Sequence, residues 1–545
     1  MCKLIIKPNR NKQPFGTLPI ACSDKDAGPG GYSVSYTNNC VKKISVGKSL
    51  IIKYDKTQTF AADTVTTVNI DEDRLEIVTD PLGVSPLFYY KTPHDLVVSD
   101  ELWECARHTK NIAVDDRYVA EMLFFGYVWS HHLTMHPDII KTRGSSNYVY
   151  KNGVMAVSHH SYPFEVSMNS SKENVQHAID EFSHLLRPED QDSSISAELL
   201  KKRPLMLLSG GYDSRVCLQA IINQKIDFDL LTLGYPSSKD VKLAKLLAQN
   251  TGKALKRVSF DSEWIYRNSE AVIKLTSASA NVQTGFLLGV PQNANASQPL
   301  ICGLYGDQIT GDRLNTYKRI MGIANRRKRD NALVSAFNWG LRISELENIN
   351  SAYSDYISNI SRLTITEHVS SLYDVRNIDW RKRQLQYNQC VVPLLTSSGA
   401  ELRLPFISVN LINSWSSLSD DFLINQRLYR KLINEQMSRP LGSVPFEKNK
   451  SIARKVYVKL FNTMGNYLDP CGNKIGDLAY IDYTDQLYNH FSELKSLIFD
   501  KYPTMVYLFD GVGNKFPASK IWFLYSVILA NEILATCTAR NEQSS

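Results

Sequence analysis

What most constrains this chain is a buried-strand pattern that runs straight into a glycine-rich turn and a helix. Leu205-Met206-Leu207-Leu208 is a continuous apolar run, as required of a strand covered on both faces, and Ser209-Gly210-Gly211-Tyr212-Asp213-Ser214 follows at once. A helical run from Arg215 to Asn223 comes next, and a second buried strand, Leu230-Leu231-Thr232-Leu233, arrives at the distance a βαβ unit needs. That succession calls for a parallel sheet with helices on its faces. Ser237 with Asp240 predicts a capping box, opening a helix whose apolar stripe is Val241, Ala244, Leu247 and Ala248 and whose end is Gly252. Leu300-Ile301-Cys302 is a third strand candidate, and from about Asn331 onward the pattern is largely helical.

The first 160 residues read differently. Short β-type runs at Ser49 to Tyr54, Leu75 to Thr79, Leu87 to Tyr90 and Leu96 to Val98 alternate with breakers such as Gly28-Pro29-Gly30-Gly31 and Asp80-Pro81-Leu82-Gly83. A polar, turn-prone stretch around 165 to 172 is the expected boundary, and a helix from about Asn174 to Leu186 follows it. The 545 residues exceed what one core organises. Two domains are therefore expected, 1–168 rich in β structure and 172–545 of α/β type with a helical extension. The aromatics Phe124, Phe125, Tyr127 and Trp129 are expected to pack between them.

Composition excludes several classes. With 43% hydrophobic and 21% charged residues the chain is neither disordered nor fibrous. A net charge of +7 suits anionic ligands without demanding nucleic acid. Nine isolated cysteines, with no CxxC, read as reduced thiols of a cytoplasmic protein rather than a disulfide framework. Met1-Cys2-Lys3-Leu4-Ile5-Ile6-Lys7 carries no signal-peptide pattern, so no export is expected. Ile521 to Ala535, interrupted by Asn531 and Glu532, is too short for a bilayer and reads as a buried C-terminal helix. His132 and His136, four apart, would share a face on a helix, but without a third ligand they read as structural. The runs Arg326-Arg327-Lys328-Arg329 and Arg381-Lys382-Arg383 read as solvated helix faces or as surfaces for an anionic or peptide substrate.

Two glycines after a strand permit a tight turn, and the amides at the following helix start attract an anion. Ser209 and Ser214 can add hydroxyls, and Gly210 and Gly211 allow close approach. Asp213 would repel a phosphate unless a divalent cation bridges the two, which is how Mg²⁺ commonly binds, through one or two carboxylates and substrate phosphates.

Ser209-Gly210-Gly211-Tyr212-Asp213-Ser214 resembles the SGGxDS loop of ATP pyrophosphatases. Leu300-Ile301-Cys302-Gly303-Leu304-Tyr305-Gly306-Asp307-Gln308 is similar to the SGEGxDE segment of asparagine synthetases, and Glu401-Leu402-Arg403-Leu404-Pro405-Phe406 to their ExRxPF segment. Lys448-Asn449-Lys450 stands where that family has a basic RxK element. Upstream, Asp80 to Tyr90, Ser99-Asp100-Glu101 and Phe125-Gly126-Tyr127-Val128 resemble its DxxGxxPLYY, SE and FGYVP landmarks, so the ordered matches run from about 80 to 450.

This resemblance implies an Ntn-hydrolase-like glutaminase domain, here reduced, followed by an ATP-pyrophosphatase (PP-loop) synthetase domain. It implies an ATP- and Mg²⁺-dependent ligase in which a carboxylate attacks the α-phosphate, pyrophosphate leaves, and an amine displaces AMP to form an amide. Asp213 and Asp307 match metal-binding positions, Lys450 the catalytic lysine, and Leu233 a position whose backbone reads adenine, with Gly303 beside the nucleotide. Two departures matter. Leu304 replaces a glutamate that handles the amine, which makes asparagine itself a less expected product, and Gln308 replaces an acid. Cys2 matches the glutaminase nucleophile, yet Ala27-Gly28-Pro29-Gly30 replaces RGPD and no NGE segment is present. The combination resembles the branch containing β-lactam synthetases and lasso-peptide cyclases, which capture an adenylated carboxylate with an amine other than free ammonia.

The implied partners are a small-molecule or peptide carboxylate, an amine donor and proteins of a biosynthetic pathway. Two other readings stay open: a glutamine-dependent amidotransferase using Cys2, and a nucleotide-binding pseudoenzyme in a larger assembly. A tRNA-modifying enzyme would share the 209–214 loop but not the ExRxPF match, so neither nucleic acid nor a membrane is expected as partner.

Overall fold

The computed structural model describes residues 4–8, 24–27, 32–36, 41–46, 49–55, 57, 64–71, 74–92, 96–109, 111–160, 171–187, 202–236, 238–295, 298–445, 481–482 and 521–542. Cys2, Lys450, the 28–31 turn and most of the expected boundary at 165–172 lie outside them.

The N-terminal part is antiparallel. Its strands are β1 (Leu4–Pro8), β2 (Asp24–Ala27), β3 (Tyr32–Tyr36), β4 (Val41–Val46), β5 (Ser49–Tyr54), β6 (Thr66–Ile70), β7 (Arg74–Val78), β8 (Phe88–Lys91), β9 (Leu96–Ser99), β10 (Ile139–Lys141), β11 (Ser146–Lys151) and β12 (Val154–His159). They form two six-stranded sheets in the orders β10-β8-β9-β1-β3-β2 and β12-β11-β7-β6-β5-β4. Alternation of apolar and polar residues builds the layer between them: Val68 and Ile70 of β6 and Leu75 and Ile77 of β7 turn inward and meet Ile6, Tyr89 and Val98 of the other sheet.

The C-terminal part is parallel. Strands β13 (Leu205–Leu207), β14 (Asp229–Leu233), β15 (Leu255–Val258), a short β16 (Phe260–Asp261), β17 (Leu300–Ile301) and β18 (Leu402–Arg403) follow in chain order, and β19 (Ile481–Asp482) pairs with β16. The main sheet runs β15-β14-β13-β17-β18, every neighbouring pair parallel. Its inner strands are buried on both faces, which is why their sequences are unbroken apolar runs. Helices α1 (Leu102–Ala106), α2 (Asp116–Phe125), α3 (Lys172–Leu186), α4 (Tyr212–Asn223) and α5 (Lys239–Asn250) precede α6 (Ser262–Leu275) and α7 (Gly306–Ile309), and further helices fill 314–442.

The two parts share a core. Phe125 stacks on Trp129 at 4.3 Å, and Trp129 and Tyr127 meet Phe337, Trp339 and Tyr387 from the C-terminal part, as expected of these aromatics. The helix Ile521–Glu542 buries Trp522 to Tyr525, Val527 to Ala530, Ile533 and Leu534 in the same cluster, and none of the described helices is long and apolar enough to cross a membrane. The Asp80 loop reaches further. Leu82 and Val84 belong to the core around the parallel sheet, while Asp80 holds the loop by accepting the amides of Leu82, Val84 and Ser85. Burial pushes the Asp80 carboxyl up to about 7 despite those three donors.

One contact across this core tolerates no added atom. Gly340 donates its N–H to the Phe124 carbonyl at 2.8 Å and Leu341 donates to Leu123 at 2.7 Å, and a β-carbon on Gly340 would lie 2.0 Å from the Leu123 oxygen. Gly340→Ala is expected to cost about 1–3 kcal/mol, the usual range for overpacking. Its urea midpoint should fall clearly, whereas Gly322→Ala, whose added carbon meets nothing closer than 3.5 Å, should leave the midpoint in place.

Three local expectations are corrected. The α5 cap is Ser238, whose hydroxyl accepts the Val241 N–H, and Asp240 is not part of a capping box because its carboxylate turns to Gly210 instead. His132 and His136 lie between α2 and β10 rather than on a helix, and their rings bond the carbonyls of Lys141 and Asn111. Arg326 to Lys328 are indeed exposed, but Arg383 of the second basic run is buried in a bidentate pair with Asp379. Its neighbour Lys382 is pushed down to about 8 by burial, a shift that Glu121 opposes and Arg143 and Lys141 reinforce.

Candidate active site

Counted along the chain, the parallel strands stand in the order 3-2-1-4-5, so the connections leave in opposite directions from β13 and β17. Ligands of open parallel sheets bind outside the carboxyl ends of the strands at such a switch point. Here the β13 loop, 208–211, and the β17 loop, 302–305, face each other across it. The contact is intimate. A β-carbon on Gly303 would lie 2.9 Å from the Asp213 carbonyl carbon, and one on Gly306 would lie 2.5 Å from the Asp213 carboxyl carbon. Glycine at both positions lets the two loops close, bringing Asp213 and Asp307, ninety-odd residues apart in sequence, to one half-buried locus.

The hydrogen bonds explain the shape of the first loop. Ser214 Oγ lies 3.0 Å from Ser209 Oγ and accepts the Ser209 amide at 3.1 Å, while Ser209 Oγ accepts the Gly211 amide at 3.1 Å. The Gly210 amide goes to Asp240 Oδ1, and leucine and aspartate atoms of α5 stand within about 3 Å of where a Gly210 β-carbon would be. Gly210 and Gly211 thus spend their amides inside the protein. The anion-attracting element is the start of α4, which begins at Tyr212 and carries no side-chain cap. Burial raises the Asp240 carboxyl, opposed by the Gly210 amide and Arg215.

Two side chains that carry no local sequence signal complete the locus. Tyr429, fully buried on the helix Arg427–Gln436, donates its hydroxyl to Asp213 Oδ1 at 2.8 Å. Burial pushes that phenol well up, and the Asp213 and Asp307 carboxylates push it further, so both act on it. Arg215, 1% exposed, joins the loop to a distant segment, donating to Gly210 O at 3.0 Å, Val444 O at 2.6 Å and Pro445 O at 2.7 Å. Val444 and Pro445 close the described stretch that precedes Lys450 in sequence.

The remaining expected residues fall around this locus. Leu233 ends β14, beside β13, and Leu304 is half-buried against the sheet core. Asn388 donates to Gln308 Oε1 at 3.4 Å. Glu401 pairs with Arg403 of the edge strand β18, whose Leu402 amide donates to the Thr57 carbonyl of the N-terminal part at 3.0 Å. Among the described residues no group of three or more His, Cys, Asp or Glu forms a metal cluster; the two aspartates would suit a cation that takes its other ligands from water and phosphate. No protein-family model matches this chain, and no curated protein matches it either.

Proposed function

We propose that this protein is an ATP-dependent carboxylate-amine ligase that releases pyrophosphate and AMP and captures the activated acid with an amine, without hydrolysing glutamine. The observation that carries the reading is the close approach of Asp213 to Gly303 and Gly306, which brings the Asp213 and Asp307 segments together at the switch point of the parallel sheet, beside the uncapped start of α4. Two half-buried carboxylates, with a phenol donating to one of them, serve no packing purpose beyond the carboxyl ends of the strands. They suit Mg²⁺, which would be held by Asp213 and Asp307 and would neutralise charge between phosphates and the acid. The α4 amides and the Ser209 and Ser214 hydroxyls would orient the phosphates, and Tyr429 would keep Asp213 in place.

On this reading the parallel sheet is an ATP-pyrophosphatase domain within 172–545, and the paired antiparallel sheets are a reduced glutaminase-like domain within 1–168, acting in the cytoplasm. Lys450, Leu233 and Gly303 keep the roles the resemblance implies, while Cys2 has none in this reaction. The test is release of pyrophosphate from ATP and Mg²⁺ with a panel of carboxylic acids, using hydroxylamine to trap the activated acyl group as a hydroxamate. Acid-dependent pyrophosphate and AMP are expected. ADP with orthophosphate, or tight ATP binding with no turnover on any acid, would overturn the proposal, and ¹⁵N passing from amide-labelled glutamine into product would restore the role of Cys2.

A further inference from the structure

Asp307 stands on α7, a single turn of four residues, far short of the roughly 12–15 at which a helix holds itself in water. Its seat therefore comes from what packs on it. On one side Gly306 lies against the Asp213 carboxyl, and on another runs the segment from Leu423 to Tyr429. A β-carbon on Gly311, which sits at φ 90°, would lie 2.7 Å from the Leu423 carbonyl oxygen, so the chain leaving α7 passes there only as glycine. Gln426, 5% exposed, donates its side-chain amide to Thr310 Oγ1 at 2.8 Å, and that hydroxyl donates onward to the Gly306 carbonyl at 2.9 Å. Tyr429, one turn further along the same segment, donates to Asp213. One short stretch of chain thus reaches both aspartate segments.

The backbone of that stretch is strained. Asn425 and Gln426 are both left-handed, at φ 59° and 53°, where the chain turns into the helix Arg427–Gln436. Asparagine enters that region readily and glutamine does not, and such a conformation persists only where its surroundings over-determine it. Here Asn425 accepts the Asn315 side-chain amide, and Gln426 is tied to Thr310. Hydrogen bonds in series polarise one another, so the run from Gln426 through Thr310 to Gly306 is stiffer than its separate links. We propose that Gln426 is a positioning residue: through Thr310 it fixes Gly306 of α7 against Asp213, and so sets the approach of the two aspartate segments on which a shared divalent cation depends. This rests on the reading of Asp213 and Asp307 as metal ligands, and experiment separates the two.

The probe is the Mn²⁺ complex of α,β-methylene-ATP, which cannot release pyrophosphate. The full-length protein is titrated into it, and binding is read from the rise in water proton relaxation that Mn²⁺ produces once it tumbles with the protein. The parent is expected to bind, and Asp213→Asn to bind much more weakly. Gln426→Met and Thr310→Val each remove one link at nearly constant volume and should raise Kd about 10-fold or more, the loss usual when a group that orients a metal ligand is removed. Thr310→Ser restores the hydroxyl and should recover most of the parental affinity. Because both substitutions break one chain of bonds, the double variant should bind no more weakly than the weaker single. Near-UV circular dichroism at the temperature of the titration checks that each variant is folded, and if Gln426→Met is not, Thr310→Val with its serine rescue decides. A merely structural role would lower the urea midpoint and leave the Kd of the folded protein unchanged. Parental Kd in the folded single variants, or losses that add in the double variant, overturns the inference and leaves the metal reading standing if Asp213→Asn still weakens binding. No binding by the parent, or binding indifferent to Asp213→Asn, overturns the metal reading and the inference with it.

Discussion

Asp213→Asn is expected to lower acid-dependent pyrophosphate release by about 10²–10³-fold, the loss usual when one preorganised electrostatic contact is removed from a reacting centre. The substitution keeps shape and keeps an oxygen for the Tyr429 hydroxyl, which donates to Asp213 at 2.8 Å. What it removes is charge, so the urea midpoint should stay with the parent while turnover falls. A second variant reaches the same carboxylate without touching it. In Gly306→Ala the new carbon would stand 2.5 Å from the Asp213 carboxyl carbon and 2.6 Å from its Oδ1, so the carboxylate must move. Displacement of a reacting group by about 1 Å costs on the order of 10²-fold. If both variants retain parental pyrophosphate release, Asp213 is not at the reacting centre and the proposed function falls with it.

Arg215→Met is expected to be the most destabilising single substitution near the site. Its guanidinium is buried and supplies donors to three carbonyls, two of them some 230 positions away. Methionine fills much of the volume but donates nothing, and hydrogen bonds from a charged group contribute about 1.5–3 kcal/mol each, with a further penalty for acceptors left dry. A loss on the order of 3 kcal/mol or more should appear as a lower urea midpoint. Because Gly210 O is one of the acceptors, pyrophosphate release should fall even at temperatures where the variant stays folded. Arg215→Lys can satisfy only part of the fork and should fall between the two. A variant with parental stability would show that the three carbonyls find other donors.

Much of the architecture could be read in advance because it is local. Leu205 to Leu208 and Leu230 to Leu233 are unbroken apolar runs for the physical reason that both faces of an inner parallel strand are covered. Ser49 to Tyr54, on the other hand, belongs to a sheet with two faces of different character, where alternation is the signal. The sequence pattern starts α4 at Arg215, and the helix begins three residues earlier, since Tyr212 and Asp213 look like loop until the helix continues through them. The spacing from Ser237 allows Asp240 a place in a cap, but a carboxylate in the first turn of a helix also faces whatever packs there, and here that is Gly210. His132 and His136 have helical spacing without being in a helix, and spacing alone cannot distinguish the two.

The site divides along the same line. Sequence alone determined the chemical types and the order in which they arise: a hydroxyl and two glycines after a buried strand, then Asp213 and a second hydroxyl, and a second Gly-rich segment containing Asp307. Only the tertiary structure decided that these two segments touch, through glycines that admit the Asp213 side chain, and that Tyr429 and Arg215 stand around them. Periodicity and turn chemistry act over a few residues and leave their mark on every short window of sequence. Contacts between residues 90 to 230 positions apart depend instead on how strands are ordered in a sheet and which loops then meet, and no short window carries that information.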